Sequence, residues 1–279
     1  MTIRKFNPGT EWIFIKFYSG IKTSDILLEE AIIPLVQYLD ENNLIHKWFF
    51  IRYYDPKSHL RVRLHLKDNN QYGSVVKVIN EKIKVLSDSG EISEINIDSY
   101  KREIERYGQK TIEFAEELFH QSSKLILNFL DYDDEEKIMV TMFYIDQVLS
   151  EINLSAQRRY DWIEKYNILF KKEFHSDKNL NSKLSKKFRD FRPVYRNFIN
   201  TNEFKEVKDR IGLNIVQSRD SLLHIIDTQK VIKLEDFFQS IFHMHINRIF
   251  NSHQRLFEMI IYDYLWRDYK SKINENRTQ

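Results

Sequence analysis

The chain has 279 residues, with 43 Lys and Arg against 41 Asp and Glu, so its formal net charge of +2 gives no general attraction to nucleic acid or an anionic membrane. It contains no Cys, which excludes disulfides, thiolate zinc sites, iron-sulfur clusters and a Cys nucleophile and fits a reducing cytoplasm. With 42% hydrophobic and 14% aromatic residues it carries enough apolar material for a sizeable core, unlike a disordered chain.

The opening Met1 to Pro8 lacks the apolar stretch of a signal peptide, and no run of about 18 apolar residues occurs, so neither secretion nor a membrane span is expected. Glu11 to Tyr18 is aromatic and β-branched and reads as a buried strand. Ser24 or Asp25 is placed to cap a helix carrying Ile26, Leu27, Ala31, Ile32 and Leu35. Lys47 to Lys67 holds two strand-like runs around Asp55-Pro56-Lys57-Ser58, which predicts a β-hairpin. In its second run Leu60, Val62, Leu64 and Leu66 alternate with His59, Arg61, Arg63, His65 and Lys67, so one face is apolar and the other cationic.

A helix over about 72–86 and an Ile-rich strand from Ile92 to Ile97 follow, the strand joining the same sheet. Beyond Lys101 the pattern becomes helical. Asp133 to Glu136 sits where carboxylates favour a helix N-terminus, and no further ligands at metal spacing accompany it. Further helices are predicted around 155–172, 180–198, 207–228, 234–250 and 254–270, with a loop from Glu173 to Asn181 and a frayed tail after Lys272. The expected fold class is α+β: an antiparallel sheet with a hairpin in the N-terminal half, packed against a largely helical C-terminal half. One domain over 1–279 is expected, mixed over about 10–105 and helical over about 106–272.

Three constellations carry chemistry. Arg61, Arg63 and His65, with Arg52 and His59 near the turn, form a row of donors suited to a carboxylate or developing oxyanion; a solvated sheet face is the plain alternative. Glu103 and Arg106 lie three apart on one turn, either as a surface ion pair or as part of a site. His243 and His245 sit two apart on an amphipathic helix and point about 200° from each other, so they cannot share a metal; one can face a cleft as acid or base while the other packs. A glycine-rich phosphate loop, a nucleophile elbow and a zinc-protease helix motif are all absent, and no cofactor or metal is expected.

The order Trp-Phe-Phe-Ile-Arg-Tyr-x-Asp-Pro-x-x-His-Leu-Arg-x-Arg (48 to 63), then Glu-Ile-Glu-Arg-Tyr-Gly (103 to 108) with Ala115 to Phe119 behind it, then His-Met-His-x-Asn-Arg (243 to 248), resembles one family. It is the C-terminal, glutamate-elimination domain of lantibiotic and thiopeptide dehydratases, the thiopeptide-type bacteriocin biosynthesis domain. Trp12, Tyr18, Asp25, Leu27 and Pro34 fit the same pattern, and the likeness runs from about residue 10 to about 270.

The resemblance implies a cytoplasmic carbon-oxygen lyase that expels glutamate from glutamylated Ser or Thr of a precursor peptide, leaving dehydroalanine or dehydrobutyrine. It implies a freestanding half of a split dehydratase, working on a peptide glutamylated by a separate tRNA-using protein, with no direct nucleic-acid contact; homo-oligomerisation stays open. By the same likeness Arg61 and Arg63 grip the glutamyl group or the oxyanion, Glu103 supports Arg106 as a third cation, and His243, with His245 as runner-up, moves a proton. Arg52, Tyr53 and His59 belong to the hairpin motif as substrate-binding candidates, or as braces. The fold also hosts pyridine synthases, which join two dehydroalanines in a formal [4+2] cycloaddition, and an inactive peptide-binding scaffold is a further alternative.

Overall fold

The computed structural model describes residues 2–229 and 231–277. In chain order the strands and helices are β1 (Lys5–Phe6), β2 (Trp12–Ser19), α1 (Thr23–Leu27), a π-helical segment over Leu28–Ile32, α2 (Ile33–Glu41), β3 (Ile45–Tyr54) and β4 (Ser58–Leu66). Then come α3 (Tyr72–Asp88), β5 (Ile92–Asp98), β6 (Tyr100–Lys101), α4 (Ile104–Tyr107) and α5 (Ile112–Ile126). The rest is helical: α6 (Asp134–Glu151), α7 (Ala156–Glu173), α8 (Lys178–Asn200), α9 (Lys205–Gln217), α10 (Arg219–Thr228), α11 (Val231–Ile249) and α12 (Gln254–Arg277).

The chain divides into two compact units, one of residues 1–131 with 220–252, the other of 132–219 with 253–279. Among the described residues, every strand lies in the first. Its main sheet is antiparallel in the order β3-β4-β2-β5, and β1 pairs with β6 in a two-stranded sheet. The α+β class and the hairpin are as expected, because the two-residue alternation holds: Leu60, Val62, Leu64 and Leu66 are all buried. Cross-strand partners continue that apolar face through Ile13, Ile15 and Phe17 on β2 and Trp48 and Phe50 on β3. Helix α5 and α11 pack on β3.

Among its described residues the second unit has helices joined by short turns and no strand. Its helix α6 begins with a reciprocal capping box: Asp133 Oδ1 accepts from the Glu136 N–H, and Glu136 Oε2 accepts from the Asp133 N–H, both at 2.9 Å. The acidic cluster at Asp133 to Glu136 is therefore a helix start.

Four local expectations are corrected. Neither Ser24 nor Asp25 caps α1; both side chains are taken by the buried Arg52, which needs acceptors more than the helix end needs a cap. The loop expected over 173–181 is shorter, because the Asp177 carboxylate accepts from the Leu180 N–H at 2.7 Å and starts α8 early. A single helix over 207–228 is interrupted at Ser218, whose hydroxyl folds back onto the Asn214 carbonyl. The tail beyond Lys272 continues as helix to Arg277, held where Glu275 accepts from Arg192 and Arg196 at 2.9 and 3.0 Å.

Candidate active site

Strand β3 is an edge strand, and an open edge leaves N–H and C=O groups without partners. Here helices close it. Asn247 on α11 takes the Arg52 N–H at 3.0 Å and donates to the Arg52 carbonyl at 2.9 Å. Arg248 Nε donates to the Phe50 carbonyl at 2.7 Å, Ser123 Oγ accepts from the Phe50 N–H at 3.2 Å, and His120 Nδ1 lies 2.9 Å from the Trp48 carbonyl. The Asn-Arg half of the His-Met-His-x-Asn-Arg segment thus fastens α11 to the sheet.

Arg52 belongs to this clamp. It is 5% exposed, on the apolar face of the hairpin, and its donors are spent on Asp25 (2.5 Å), Ser24 Oγ (2.6 Å) and the Arg248 carbonyl (2.8 Å). Burial lowers its pKa, and the neighbouring Asp25 carboxylate opposes that shift.

The opposite face of the hairpin carries the other candidates. Cross-strand register sets His59 beside Tyr18 and Tyr53, Arg61 beside Lys16 and Ile51, Arg63 beside Phe14 and Phe49, and His65 beside Trp12 and Lys47. This row is half-buried apart from the buried His59, and it is aromatic as well as cationic. Arg63 lies among three rings, 4.4 Å from the centroid of Phe14, 5.0 Å from Tyr100 and 5.3 Å from Phe49. Its buried Nε has no hydrogen-bond partner, and among the described residues no carboxylate pairs with it. Burial, the largest influence, lowers the guanidinium pKa.

Arg61 is organised differently. Its guanidinium lies over Tyr53, 3.4 Å from the ring centroid, and its Nε donates to His59 Nε2 at 3.0 Å. His59 is buried, with Nδ1 2.9 Å from the Lys57 carbonyl. An imidazole that accepts at Nε2 and donates at Nδ1 is neutral, in keeping with a pKa lowered chiefly by burial. His65 stacks on Trp12 at 4.6 Å, and burial pushes its pKa down to about 4.

Arg63 opens onto a small cavity of about 40 Å³, shared with Tyr100, Glu103, Tyr107, Met244 and Arg248. Of the residues to which the resemblance gives a catalytic role, the structure brings Arg63 and Glu103 together in this cavity, and Arg61 is not among its lining residues. Arg106 stands beside them through a 3.1 Å ion pair with Glu103, both side chains about half-exposed. Helix α11 contributes Met244 and Arg248 to the cavity, while neither histidine is among its lining residues. His245 is buried against Ser122, whose Oγ lies 2.9 Å from Nδ1, and burial pushes its pKa down to about 3. His243 is partly exposed.

Sequence reasoning missed Tyr100 as a wall of this pocket, and missed what holds it. The Tyr100 hydroxyl donates to Glu116 at 2.9 Å, and the fully buried Glu116 carboxylate takes two bonds from Arg102 at 2.7 and 2.8 Å. The available signal was a pair of adjacent charged residues beside a strand-like tyrosine. Chemically, a guanidinium held among three rings, with a buried Nε that has no partner, lining a cavity together with Glu103, has the donor geometry that a carboxylate or oxyanion requires. Among the described residues no group of three or more acidic, His or Cys side chains is placed to hold a metal ion, and no helix is long and apolar enough to cross a membrane.

Residues 12–269 match the family described as lantibiotic biosynthesis dehydratase C-term, and the chain belongs to that family. It is 27% identical over 275 residues to the nisin biosynthesis protein NisB of Lactococcus lactis subsp. lactis, covering 88% of this chain and 26% of NisB. To the subtilin biosynthesis protein SpaB of Bacillus subtilis it is 25% identical over 262 residues, covering 91% of this chain and 25% of SpaB. The chain thus spans about a quarter of the length of these curated relatives. Among solved structures, the tRNA-dependent lantibiotic dehydratase MibB from Microbispora sp. 107891 superposes with a TM-score of 0.72 at 16% identity, over 99% of this chain and 29% of MibB. The pyridine synthase TbtD from thiomuracin biosynthesis does so at 0.58 and 11%, over 94% of this chain and 99% of TbtD. At these identities the two likenesses establish the fold.

Proposed function

We propose that this chain catalyses β-elimination of glutamate from glutamylated Ser or Thr side chains of a ribosomally made precursor peptide, giving dehydroalanine or dehydrobutyrine. The observation that carries this reading is Arg63: a guanidinium held among three rings with no anion of its own, beside Glu103 and Arg106, in a member of the dehydratase C-terminal family. The glutamylated peptide is the substrate, so glutamylation precedes this step. Residues 12–269, which include parts of both compact units, act as one elimination domain.

The reaction removes the Cα proton, uses that electron pair to form the Cα=Cβ bond, and breaks the Cβ–O bond so that glutamate departs as a carboxylate. Two of these changes build negative charge, on the peptide carbonyl oxygen and on the leaving group. Fixed cations aimed at such charge in a desolvated site are typically worth about 3–4 kcal/mol each. Arg63 holds the leaving carboxylate or the enolate-like oxygen, Arg61 on its Tyr53 platform assists, and Arg106 is oriented by Glu103. His59 fixes Arg61 through its Nε2, and Arg52 braces the hairpin from behind. The resemblance names His243 as the imidazole that moves a proton, and it is the partly exposed histidine of the pair, although it does not line the Arg63 cavity.

The test is mass spectrometry on a glutamylated precursor peptide incubated with the protein. Each dehydrated site should lose one glutamate residue plus water, with free glutamate released. A peptide shown to be glutamylated that remains unchanged would count against the proposal. Conversion of a bis-dehydroalanine peptide to a macrocycle would assign the cycloaddition chemistry of a pyridine synthase instead.

A further inference from the structure

The main sheet has two edges, and they are treated in opposite ways. The β3 edge is closed by side chains of α5 and α11, as described above. The β5 edge is open. The Glu11 carbonyl accepts from the Leu66 N–H at 2.8 Å, so odd-numbered residues of β2 face β4, and Phe14, Lys16 and Tyr18 bond toward Asp98, Asn96 and Glu94 of β5. Ile95 and Ile97 therefore turn their N–H and C=O groups outward, and among the described residues nothing bonds to them.

The side chains along this edge alternate in chemistry. Ile95 and Ile97, 37% and 41% exposed, lie on the face of Ile15 and Phe17. Glu94 and Asp98 lie on the other face, with Asn96 donating to Glu94 at 2.9 Å and Lys16 to Asp98 at 2.6 Å. The strand has no lysine or proline; the charges on its edge are the carboxylates Glu94 and Asp98, and its pairing with β2 is irregular only at Tyr18 and Ser19.

We propose that β5 is a docking edge for an extended peptide segment whose side chains alternate between apolar residues and Lys or Arg, added as a fifth strand of the sheet. The main chain would complete the outward hydrogen bonds of Ile95 and Ile97. The apolar side chains would cover those two isoleucines, and a basic one would meet the exposed Glu94, Asp98 being already paired with Lys16. A second copy of this chain fits less well, since pairing β5 with itself concentrates carboxylates along one seam. This inference stands on the sheet edge alone and does not depend on the elimination reading.

The probe is a fluorescein-labelled peptide, acetyl-(Lys-Val)₄-amide, titrated against the full chain by fluorescence anisotropy, with (Glu-Val)₄ as its control. The Lys peptide should bind about tenfold tighter than the Glu peptide. Glu94→Lys, at an exposed position, should narrow or reverse that ranking, and the double substitution Ile95→Lys with Ile97→Lys should weaken the Lys peptide by about tenfold. Hydrogen exchange should slow at the amides of Ile95 and Ile97 on binding. No binding, equal binding of the two peptides, or protection confined to residues outside 92–98 would overturn the proposal. So would exchange at these amides that slows with protein concentration in the absence of peptide, which would make a second copy the occupant.

Discussion

Arg52 and Arg63 sit on the same hairpin and differ in almost every physical respect. Arg52 lies on the apolar face with its nitrogens bonded to Asp25, Ser24 and the Arg248 carbonyl. Arg63 lies on the aromatic face, packed against the rings of Phe14, Phe49 and Tyr100, and its buried Nε has no partner. Burying a guanidinium is costly; Arg52 recovers that cost through an internal ion pair, whereas Arg63, partly exposed but buried at its Nε, has no such pair. A donor set already saturated by the fold is a brace. One that stays unsaturated is suited to an anion from outside.

Removing each arginine should separate the two uses. Arg52→Ala leaves Asp25, Ser24 and the α11 clamp without their shared partner, and a broken buried ion pair of this kind costs about 3–5 kcal/mol. Urea denaturation should show that loss, and elimination by the fraction still folded should fall much less. Arg63→Ala should do the reverse. Turnover of glutamylated peptide is expected to drop by about 10²- to 10³-fold while the denaturation midpoint holds or falls little, because the partly buried Arg63 has no internal ion pair to lose. If Arg63→Ala unfolds the protein while Arg52→Ala abolishes turnover at full stability, the distinction between the faces fails.

Much of this contrast is readable in the amino-acid sequence, and part of it is not. The two-residue alternation in Leu60, Val62, Leu64 and Leu66 was enough to predict the hairpin, its apolar face and the row containing Arg61 and Arg63. The caging of Arg63 was not, because its three rings come from β2, β3 and β6, and their meeting depends on register between segments far apart in the chain. The same limit explains Ser24 and Asp25: read locally they are helix caps, whereas the demand for them comes from Arg52. In the segment from His243 to Arg248, helical spacing showed that the histidines diverge. It could not show that Asn247 and Arg248 would be used to close a sheet edge, since nothing local reveals which strand lies at the edge.

Acid should sharpen the comparison on the imidazoles. Burial holds His245 neutral with a pKa of about 3 and His65 with one of about 4, against an unfolded value near 6.5. A depressed histidine favours the folded state above pH 6.5, and that advantage is lost as pH falls through the interval down to the folded value. Each group should therefore remove about 1.4 kcal/mol of stability per pH unit below 6.5. Denaturation midpoints measured at pH 7, 6 and 5 should fall accordingly. His245→Gln, which keeps an acceptor for Ser122, should flatten the trend by one histidine's share; an unchanged slope would show that His245 is not held neutral.

The smallest effect on stability is expected at Glu103, and it bears most directly on which face does the chemistry. Its ion pair with Arg106 is about half-exposed on both sides, and such pairs contribute at most about 0.2–1 kcal/mol. Glu103→Ala should therefore leave the denaturation midpoint almost unmoved. If the pair is only a surface contact, turnover should be equally indifferent. If Glu103 orients Arg106 over the cavity that Arg63 lines, elimination should slow by about tenfold or more, because a misplaced charge stabilises the departing carboxylate poorly. Glu103→Asp, with the carboxylate retained on a shorter arm, should recover part of that loss. A fall in rate without a fall in stability is the signature of a residue used outside the fold's own needs, the same signature that the unspent donors of Arg63 lead one to expect.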